Sequence, residues 1–140
     1  MNAKTFSFNV QTQGFSDVHD LTHTVAGFAN RANIRDGLVT VFIPGSTAGV
    51  TTIEYEPGVV DDLKKAIERI APTTIHYDHD ARWGDGNGFA HVRASLLGPS
   101  LAIPLVDGTL ALGTWQQIVL VDFDNRPRNR TVVVQILGQA

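Results

Sequence analysis

The residues best suited to chemistry are concentrated between His76 and His91, in the stretch HYDHDARWGDGNGFAH. These sixteen residues hold three of the five histidines of the chain, together with three aspartates and three glycines. They show no apolar periodicity, and a long polar loop inside a small domain usually exists for a functional reason. The sequence therefore predicts a functional loop over this stretch.

The imidazole and carboxylate side chains of this loop could hold a divalent metal ion if they converged on one point. His79 and His91 lie twelve residues apart across a glycine-rich bend, so their rings could meet. In an extended segment His76 and His79 would point to opposite faces, so they are not expected to bind together. The alternative is a polar loop whose histidines hydrogen-bond to backbone groups, and spacing alone favours that alternative.

Other polar residues leave two interpretations open. Glu54 follows an apolar strand, where a functional carboxylate and a solvated strand end are equally compatible with the sequence. Arg126, Arg128 and Arg130 form the only basic cluster. A solvated hairpin tip is expected for the first two, whereas Arg130 adjoins a strand and could point inward. The chain has no phosphate-binding P-loop, calcium loop or G-x-S-x-G frame.

Composition restricts the class of protein. A chain of 140 residues with 43% hydrophobic and 18% charged residues fits one globular domain, here residues 1–140. The net charge of −3 implies no general attraction to nucleic acid or to an anionic membrane. No cysteine is present, which excludes thiolate ligands and a cysteine nucleophile. No window approaches the roughly 18 apolar residues of a membrane span, and we expect a soluble, cytoplasmic protein.

Periodicity predicts the elements that position these residues. Strands are expected over residues 5–11, 38–43 and 50–55, because each alternates or is rich in β-branched residues. Helices are expected from about 21 to 32, with Asp20 as N-cap, and from Pro57 to the residues before Pro72. Val59, Val60, Leu63, Ile67 and Ile70 would form the buried stripe of the second helix.

The last third of the chain predicts two hairpins. Asp107-Gly108 is a two-residue turn signal between residues 101–106 and the following TLAL segment. A second hairpin is expected between residues 117–123 and 131–137. The predicted class is α+β: a mostly antiparallel sheet of about seven strands, with two main helices packed on one face.

Several motifs resemble one known family in their order and spacing. The matching segments are Ser46–Glu54 (STAGVTTIE), Glu56-Pro57, Tyr77–Asp80 (YDHD), Ala90–Gly98 (AHVRASLLG), Leu112–Gln116 (LGTWQ) and Arg130. This pattern is similar to that of the YjbQ-like family, whose members are often labelled secondary thiamine-phosphate synthase enzymes. The resemblance covers nearly the whole chain.

The resemblance implies a homotrimer with a pocket near the subunit boundary that holds a divalent metal, zinc or magnesium. His79 and His91 match the family histidines, and Asp85 is the expected additional ligand. Many members have His-Thr-Ser-Ala where this chain has Gly45–Ala48, so one histidine is missing here. If that histidine binds the metal, this chain would bind it more weakly or use another ligand.

The resemblance also implies roles for other residues. The expected catalytic residues are Glu54, Asp80 and His91, and the expected substrate-binding residues are Ser95, Trp115, Gln116 and Arg130. The implied function is a metal-assisted enzyme on a small phosphorylated substrate, with weak thiamine-phosphate synthase activity that joins a pyrimidine diphosphate to a thiazole phosphate. The alternative is a non-catalytic trimer that binds a metal or another ligand.

Overall fold

The computed structural model describes all 140 residues, which form eight strands and four helices. The strands are β1 (Asn2–Thr12), β2 (Asp17–Asp20), β3 (Asp36–Phe42), β4 (Ala48–Ile53), β5 (Ser100–Val106), β6 (Thr109–Leu110), β7 (Gln117–Asp122) and β8 (Arg128–Gln139). The helices are α1 (Thr22–Ala32), α2 (Pro57–Ile70), α3 (Asp78–Trp83) and α4 (Gly88–Leu97). None of these helices is long and apolar enough to cross a membrane.

The strands form two separate antiparallel sheets. The larger has five strands in the order β1-β8-β3-β5-β6, and the smaller has three in the order β2-β7-β4. The predicted α+β class with antiparallel pairing is therefore confirmed, but eight strands in two sheets replace the predicted single sheet of about seven. The chain also has two further short helices, α3 and α4, beside the two that were predicted.

The predicted hairpin between residues 117–123 and 131–137 is wrong. Both segments are strands, but β7 lies in the centre of the small sheet and β8 lies between β1 and β3 of the large one. The connection after β7 therefore crosses from one sheet to the other. A pattern of apolar residues predicts that two segments are strands, but it does not say which neighbours they pair with.

The small sheet lies between two hydrophobic cores, and β7 contributes to both. Ile118 and Leu120 belong to the core shared with the large sheet and α1, which is the larger of the two. Val119 and Val121 belong to the second core, where the other face of β7 meets Phe89 and its neighbours on α4. Because successive side chains of a strand point to opposite faces, this near-continuous apolar run is buried on both sides.

Several local predictions are confirmed. In β1 the alternating side chains Phe6 and Phe8 pack on the larger core, where both contact Phe28 of α1. Asp107 and Gly108 have φ values of 50° and 77° between β5 and β6, as a type I′ turn requires. Local geometry at these places depends on a few adjacent residues, so the sequence is informative.

The helix α2 is confirmed, with the Glu56 side chain accepting hydrogen bonds from the backbone N–H groups of Gly58 and Val59. Its predicted buried stripe is only half-buried, and Ile70 is 66% exposed. An amphipathic pattern shows which face of a helix is apolar, but it cannot show whether the chain itself covers that face.

The predicted loop over residues 76–91 is largely helical. It contains α3, the glycine-rich connection 84–87 and the first turn of α4. The start of α4 has no amphipathic period because Gly88, Phe89 and Ala90 are all buried. A short helix that is enclosed on several sides has little polar face to mark it in the sequence.

Candidate histidine site

The two histidines that the sequence singled out lie against each other. His79 on α3 and His91 on α4 have ring centroids 4.3 Å apart, at an interplanar angle of 47°. The connection between the two helices turns sharply through Gly84 and Gly86, whose φ values of 71° and 70° lie in the left-handed region. This turn brings together two rings that are twelve residues apart in the sequence.

Asp80 fixes the position of α4 relative to α3. Its Oδ1 accepts a hydrogen bond of 2.8 Å from the backbone N–H of Gly88, the first residue of α4. A Cβ at Gly88 would lie only 2.5 Å from the Cβ of Tyr77, so the glycine permits this close approach. Asp80, predicted to be catalytic, therefore has a clear positioning contact in the structure.

The His79 ring has a polar atom with no hydrogen-bond partner. Its Nε2 is buried and unpaired, and the nearest acidic atom is the Asp85 Oδ2 at 3.5 Å. Buried polar atoms are nearly always paired, so an unpaired ring nitrogen calls for a partner such as water, an ion or a ligand. The structure thus brings together His79, His91 and Asp85, three residues that the sequence analysis assigned to one site.

His91 is the residue of this site with a perturbed pKa. Burial lowers the pKa of His91 below its usual value of 6.5, and the neighbouring His79 lowers it further. The carboxylates of Asp124, Asp85 and Asp80 oppose this shift without cancelling it. His91 is therefore a neutral imidazole at pH 7 and can accept a proton.

A cavity of about 210 Å³ opens beside His91. Its lining is Gly45, Ser46, Ala48, His91, Ala94, Ser95 and Pro99. Ser95 donates its hydroxyl proton to the backbone carbonyl of His91, one turn back on α4, at 2.8 Å. The cavity is small and open to solvent, and His91 forms part of its lining.

Gly45 occupies the position at which many members of the family that this sequence resembles have a histidine. Its φ is 131°, a conformation that side-chain-bearing residues rarely adopt, and a Cβ there would meet the Arg130 Nη1 at 3.2 Å. A histidine at this position would therefore require a different backbone conformation at residue 45, and the Arg130 side chain would have to move slightly.

Arg130 is tied to a buried carboxylate. Its Nε and Nη2 donate to the two carboxylate oxygens of Asp122 at 2.6 and 2.9 Å, and Nη2 also donates to the Thr47 hydroxyl at 2.7 Å. Thr12 donates its hydroxyl to the same carboxylate at 2.5 Å. Only Nη1 has no hydrogen bond, so the residue predicted to bind phosphate has one nitrogen left for a ligand.

Asp124 is a second buried carboxylate, two residues further along. It accepts hydrogen bonds from Asn87 (Nδ2, 3.2 Å), Thr47 (Oγ1, 3.0 Å) and Arg128 (Nε, 2.8 Å). Arg128 is therefore held by an ion pair, and the expectation that it lies on a solvated tip is wrong. Arg126, beside it, is exposed as expected.

The pKa values of the two carboxylates report how well they are paired. Burial alone would raise the pKa of both Asp122 and Asp124. Hydrogen bonds from Arg130 and Thr12 to the first, and from Asn87 and Arg128 to the second, outweigh burial and hold both pKa values below 3.8. Both groups are therefore ionised at neutral pH, and they hold the side chains of Arg130 and Arg128 in place.

Three predicted site residues lie at the other end of the small sheet. Ala48 of β4 pairs with Asp122 near His91, whereas Ile53, just before Glu54, pairs with Gln117. Five residues of strand separate these ends by about 17 Å. Trp115 is 74% exposed and Gln116 donates to the Thr52 hydroxyl at the same distant end.

The single pocket that the sequence predicted therefore does not form within one chain. Trp115 and Gln116 do not line the cavity beside His91, and Glu54 does not approach the histidines. These residues were expected in one pocket because of the family resemblance, but the length of β4 and β7 holds them apart.

The donor groups beside the histidines do not complete a metal site in one chain. No group of three or more histidine, cysteine, aspartate or glutamate side chains is arranged to hold an ion. His79, His91 and Asp85 lie close together, and the unpaired Nε2 of His79 suits a metal. Further ligands would have to come from water, substrate or a neighbouring chain.

Asp122, Asp124 and Asn87 support the site, and sequence reasoning missed them. One signal could have shown the first two: both stand at the end of the apolar run of β7, and three arginines follow within residues 126–130. A charge next to a strand that is buried on both faces needs a partner of opposite sign. Asn87 carried no such signal.

The chain is similar to proteins found in archaea and bacteria. Residues 6–139 match the family model described as UPF0047 protein YjbQ-like. A UPF0047 protein of Archaeoglobus fulgidus is 43% identical over 103 residues, which are 74% of this chain and 79% of that protein. A UPF0047 protein of Methanothermobacter thermautotrophicus is 33% identical over 139 residues, which are 99% of this chain and 95% of that protein.

The fold is also that of solved structures. The crystal structure of a hypothetical protein from Aeropyrum pernix K1 has a TM-score of 0.91 and 35% sequence identity, and the match covers 97% of this chain and 99% of that one. Sequence and fold therefore agree over nearly the whole length, as the resemblance of the motifs predicted. This chain belongs to the YjbQ-like UPF0047 family.

Proposed function

We propose that the protein is an enzyme that moves a proton at a small phosphorylated substrate, with His91 as the general base. The observation that carries this proposal is the contact between His79 and His91, in which His79 keeps an unpaired buried Nε2. Groups with perturbed pKa values are concentrated at functional sites, and histidine is the side chain most often used for acid–base chemistry, so His91 with its lowered pKa is the candidate base.

His91 would accept the proton from a substrate group placed in the cavity beside it. His79 would stay next to it, so that the positive charge gained by one ring disfavours protonation of the other. Asp85, 3.5 Å from the His79 Nε2, would stabilise charge on that ring. Asp80 would act indirectly, by holding α4 in place through Gly88.

The Arg130 Nη1 is the proposed contact for a phosphate group, because the other two nitrogens are taken by Asp122 and Thr47. It points towards Gly45, which lines the cavity beside His91. Ser95 lines the same cavity and would contact the substrate. This arrangement supports a substrate that carries a phosphate at one end.

The narrower reaction that we propose to test first is thiamine-phosphate synthesis. A pyrimidine methyl diphosphate would react with the ring nitrogen of a thiazole phosphate, forming a carbon–nitrogen bond with loss of pyrophosphate. The thiazole nitrogen reacts through its lone pair and carries no proton, so in this reaction His91 would serve as a metal ligand and not as a base. A divalent ion, zinc or magnesium, would supply charge stabilisation for the leaving diphosphate. His79, His91 and Asp85 are its proposed ligands, with the remaining ligands from outside the chain.

We also propose that the chain assembles as a homotrimer. Apart from Asp36 at the end of β3, the outward positions of the large sheet carry no charged side chain. The centre of this face includes Leu38, Thr40, Phe42, Ala102, Val133 and Leu137, and no element of the chain covers it. An uncovered apolar face of this kind favours association. The cytoplasmic location stays a prediction.

The second candidate function is a non-catalytic trimer that binds a metal or a small ligand. The observation that favours it is the engagement of Arg130, since two of its three nitrogens hold the fold together rather than a substrate. Glu54, Trp115 and Gln116 would then serve contacts between chains instead of a reaction.

Turnover by His91→Gln separates the two candidates. The wild-type chain and the variant are assayed with the pyrimidine and thiazole phosphates and with a panel of phosphate monoesters, with and without Zn²⁺ or Mg²⁺. We expect the variant to lose about 10²- to 10⁴-fold in rate, as loss of a general base does. His76→Gln is the matched control, since His76 is exposed and contacts only Asp78. Equal rates for the wild type and His91→Gln, or no turnover by the wild type, would favour the binding protein.

A further inference from the structure

A second, wholly polar cavity lies beside the histidines. It has a volume of about 200 Å³ and is lined by Asp85, Asn87, Asn125, Arg126 and Arg128, with no apolar residue. Its walls are the α3–α4 connection and the β7–β8 connection. Asn125 joins these two connections by donating from Nδ2 to the backbone carbonyl of Asp85 at 2.9 Å. The cavity thus has walls that are held in place by the chain itself.

Asn87, one of the residues that line this cavity, has an unsatisfied acceptor. The residue is only 7% exposed, and its Oδ1 is buried without a hydrogen-bond partner. The orientation of the amide follows from its other contact: Nδ2 donates to Asp124, which is ionised and can only accept. Its Oδ1 therefore needs a hydrogen-bond donor, and a ligand in the cavity could supply one.

Arg126 and Arg128 make the same cavity attractive to an anion. Arg128 forms an ion pair with Asp124, with its Nη2 2.7 Å from the Asp124 Oδ2, so much of its charge is offset. Arg126 has no ion pair and no hydrogen bond from its side chain, and it keeps its full positive charge at the cavity. A guanidinium with five donors is well suited to a phosphate group.

Asp85 places a negative charge in the lining of the cavity, opposite in sign to the charges of the two arginines. Its carboxylate lies 3.5 Å from the His79 Nε2, at the boundary with the histidine pair. A ligand therefore meets acceptors at Asp85 and the Asn87 Oδ1, and a cation at Arg126. A ligand with an anionic group alone would leave the buried Asn87 Oδ1 unpaired.

We propose that this cavity binds a small phosphate monoester that also carries a hydroxyl or amine group. The phosphate would contact Arg126 and Arg128, and the hydroxyl or amine would donate to the Asn87 Oδ1 and to Asp85. The volume is below the roughly 300–1,000 Å³ of sites for drug-sized ligands, so the cavity suits a smaller molecule. Binding at this cavity does not depend on the proposed function. Only the further step, in which the bound phosphate monoester is the substrate of His79 and His91, rests on it.

Calorimetric titration at constant ionic strength tests the site without any reaction. The probes are methyl phosphate, which has no donor group, glycerol 3-phosphate, which has hydroxyls, and phosphoethanolamine, which has an ammonium group. We expect glycerol 3-phosphate and phosphoethanolamine to bind about tenfold more tightly than methyl phosphate, the ratio expected for one additional satisfied hydrogen bond. Equal affinities for all three probes, or no binding of any, would overturn the proposal.

Three exposed residues supply variants for the same titration. Arg126→Gln should weaken binding of every probe about tenfold or more, because it removes the free cation. Arg69→Gln is the matched control: it makes the same change on α2, far in sequence from the cavity, and should leave binding within about twofold. Asp85→Asn should weaken phosphoethanolamine more than glycerol 3-phosphate. Equal effects of Arg126→Gln and Arg69→Gln would overturn the proposal.

His91→Gln distinguishes a failure of this proposal from a failure of the proposed function. His91 does not line the polar cavity, so the variant should bind the probes as the wild type does. Unchanged turnover in His91→Gln together with loss of binding in Arg126→Gln would reject the catalytic role and support the site. Loss of turnover in His91→Gln together with normal probe binding in Arg126→Gln would support the catalytic role and reject the site.

Discussion

Arg130 and Asp122 form a bidentate ion pair, with two hydrogen bonds, that joins the two sheets of the protein. The guanidinium comes from β8 of the large sheet and the carboxylate from the end of β7 in the small sheet, with N–O distances of 2.6 and 2.9 Å. The arginine side chain is only 10% exposed and the carboxylate is fully buried. The residue that the family motif suggests as a phosphate ligand therefore also holds the fold together.

The first prediction concerns this ion pair. Arg130→Gln leaves Asp122 as a buried charge without its partner, and we expect a loss of roughly 3–5 kcal/mol in the free energy of unfolding. Chemical denaturation followed by circular dichroism measures it. Arg69→Gln, an exposed arginine of α2, should stay within about 0.5 kcal/mol of the wild type. A loss below about 1 kcal/mol for Arg130→Gln would show that the pair is not structural.

The second prediction concerns the titration of His91. Its pKa is lowered by burial and by His79, so NMR titration should show the His91 imidazole changing protonation below pH 6.5. His79→Gln should raise the pKa of His91, because it removes the repelling charge while burial remains. If His91 is the base, kcat/KM should fall on the acid side through this same pKa. A His91 pKa above 6.5, or one unchanged by His79→Gln, would contradict the assigned causes.

The free energy of unfolding should also depend on the titration of His91. Below pH 6.5 the unfolded chain binds a proton at His91 more readily than the folded chain, so folding stability falls as the pH is lowered. His91→Gln cannot titrate and should show a flatter dependence between about pH 7 and pH 5. His76→Gln, at an exposed histidine, is the control for the change of side chain alone.

The third prediction concerns acid unfolding. The pKa values of Asp122 and Asp124 are held below 3.8 in the folded chain, so both stabilise the fold above that pH. This contribution is lost as the pH falls through their folded pKa values, because the unfolded chain has already taken up the protons. Asp124→Asn should reduce the acid dependence of unfolding, and it should lower stability at pH 7 because Arg128 loses its partner. An unchanged slope below about pH 4 would reject this account.

The fourth prediction compares two helical glycines. A Cβ added at Gly27 in α1 would meet nothing within 4 Å, so Gly27→Ala should stabilise the protein by about 0.5–1 kcal/mol. At Gly88 the added Cβ would lie 2.5 Å from the Cβ of Tyr77, so Gly88→Ala should destabilise it. Thermal unfolding of both variants measures the difference, and a Gly88→Ala variant as stable as the wild type would contradict the close contact between Gly88 and Tyr77.

The fifth prediction concerns the proposed trimer. Phe42 is 39% exposed at the centre of the uncovered face of the large sheet. Phe42→Glu places a charge on that face and should convert the trimer to a monomer with unchanged far-ultraviolet circular dichroism. Light scattering measures the mass, and Thr24→Glu, an exposed site on α1, is the control. A wild-type monomer, or a trimer that survives Phe42→Glu, would reject assembly through this face.

The sequence predicted those features that depend on neighbouring residues. The alternation in β1, the N-terminal Glu56-Pro57 of α2 and the Asp107-Gly108 turn each concern a short segment, and all three appear as predicted. It also identified His79 and His91 as a pair, because a glycine-rich bend between two histidines limits how far apart they can lie.

The arrangement of strands and site residues was decided by contacts between distant segments. Thr12 reaches Asp122 across 110 residues, and Thr47 reaches Asp124 across 77. Such contacts depend on which sheet each strand joins, and the apolar pattern of β7 and β8 fits one sheet as well as two.

The sequence by itself determined the family, the class of fold and the two histidines, since motifs and local periodicity carry that information. Only the tertiary structure decided that Glu54, Trp115 and Gln116 lie at the end of the small sheet opposite the histidines, because β4 and β7 hold those two ends about 17 Å apart. It also decided that Arg130 is paired with Asp122. A buried carboxylate must be neutralised, and the guanidinium that reaches this one is the same group that the motif suggested for phosphate.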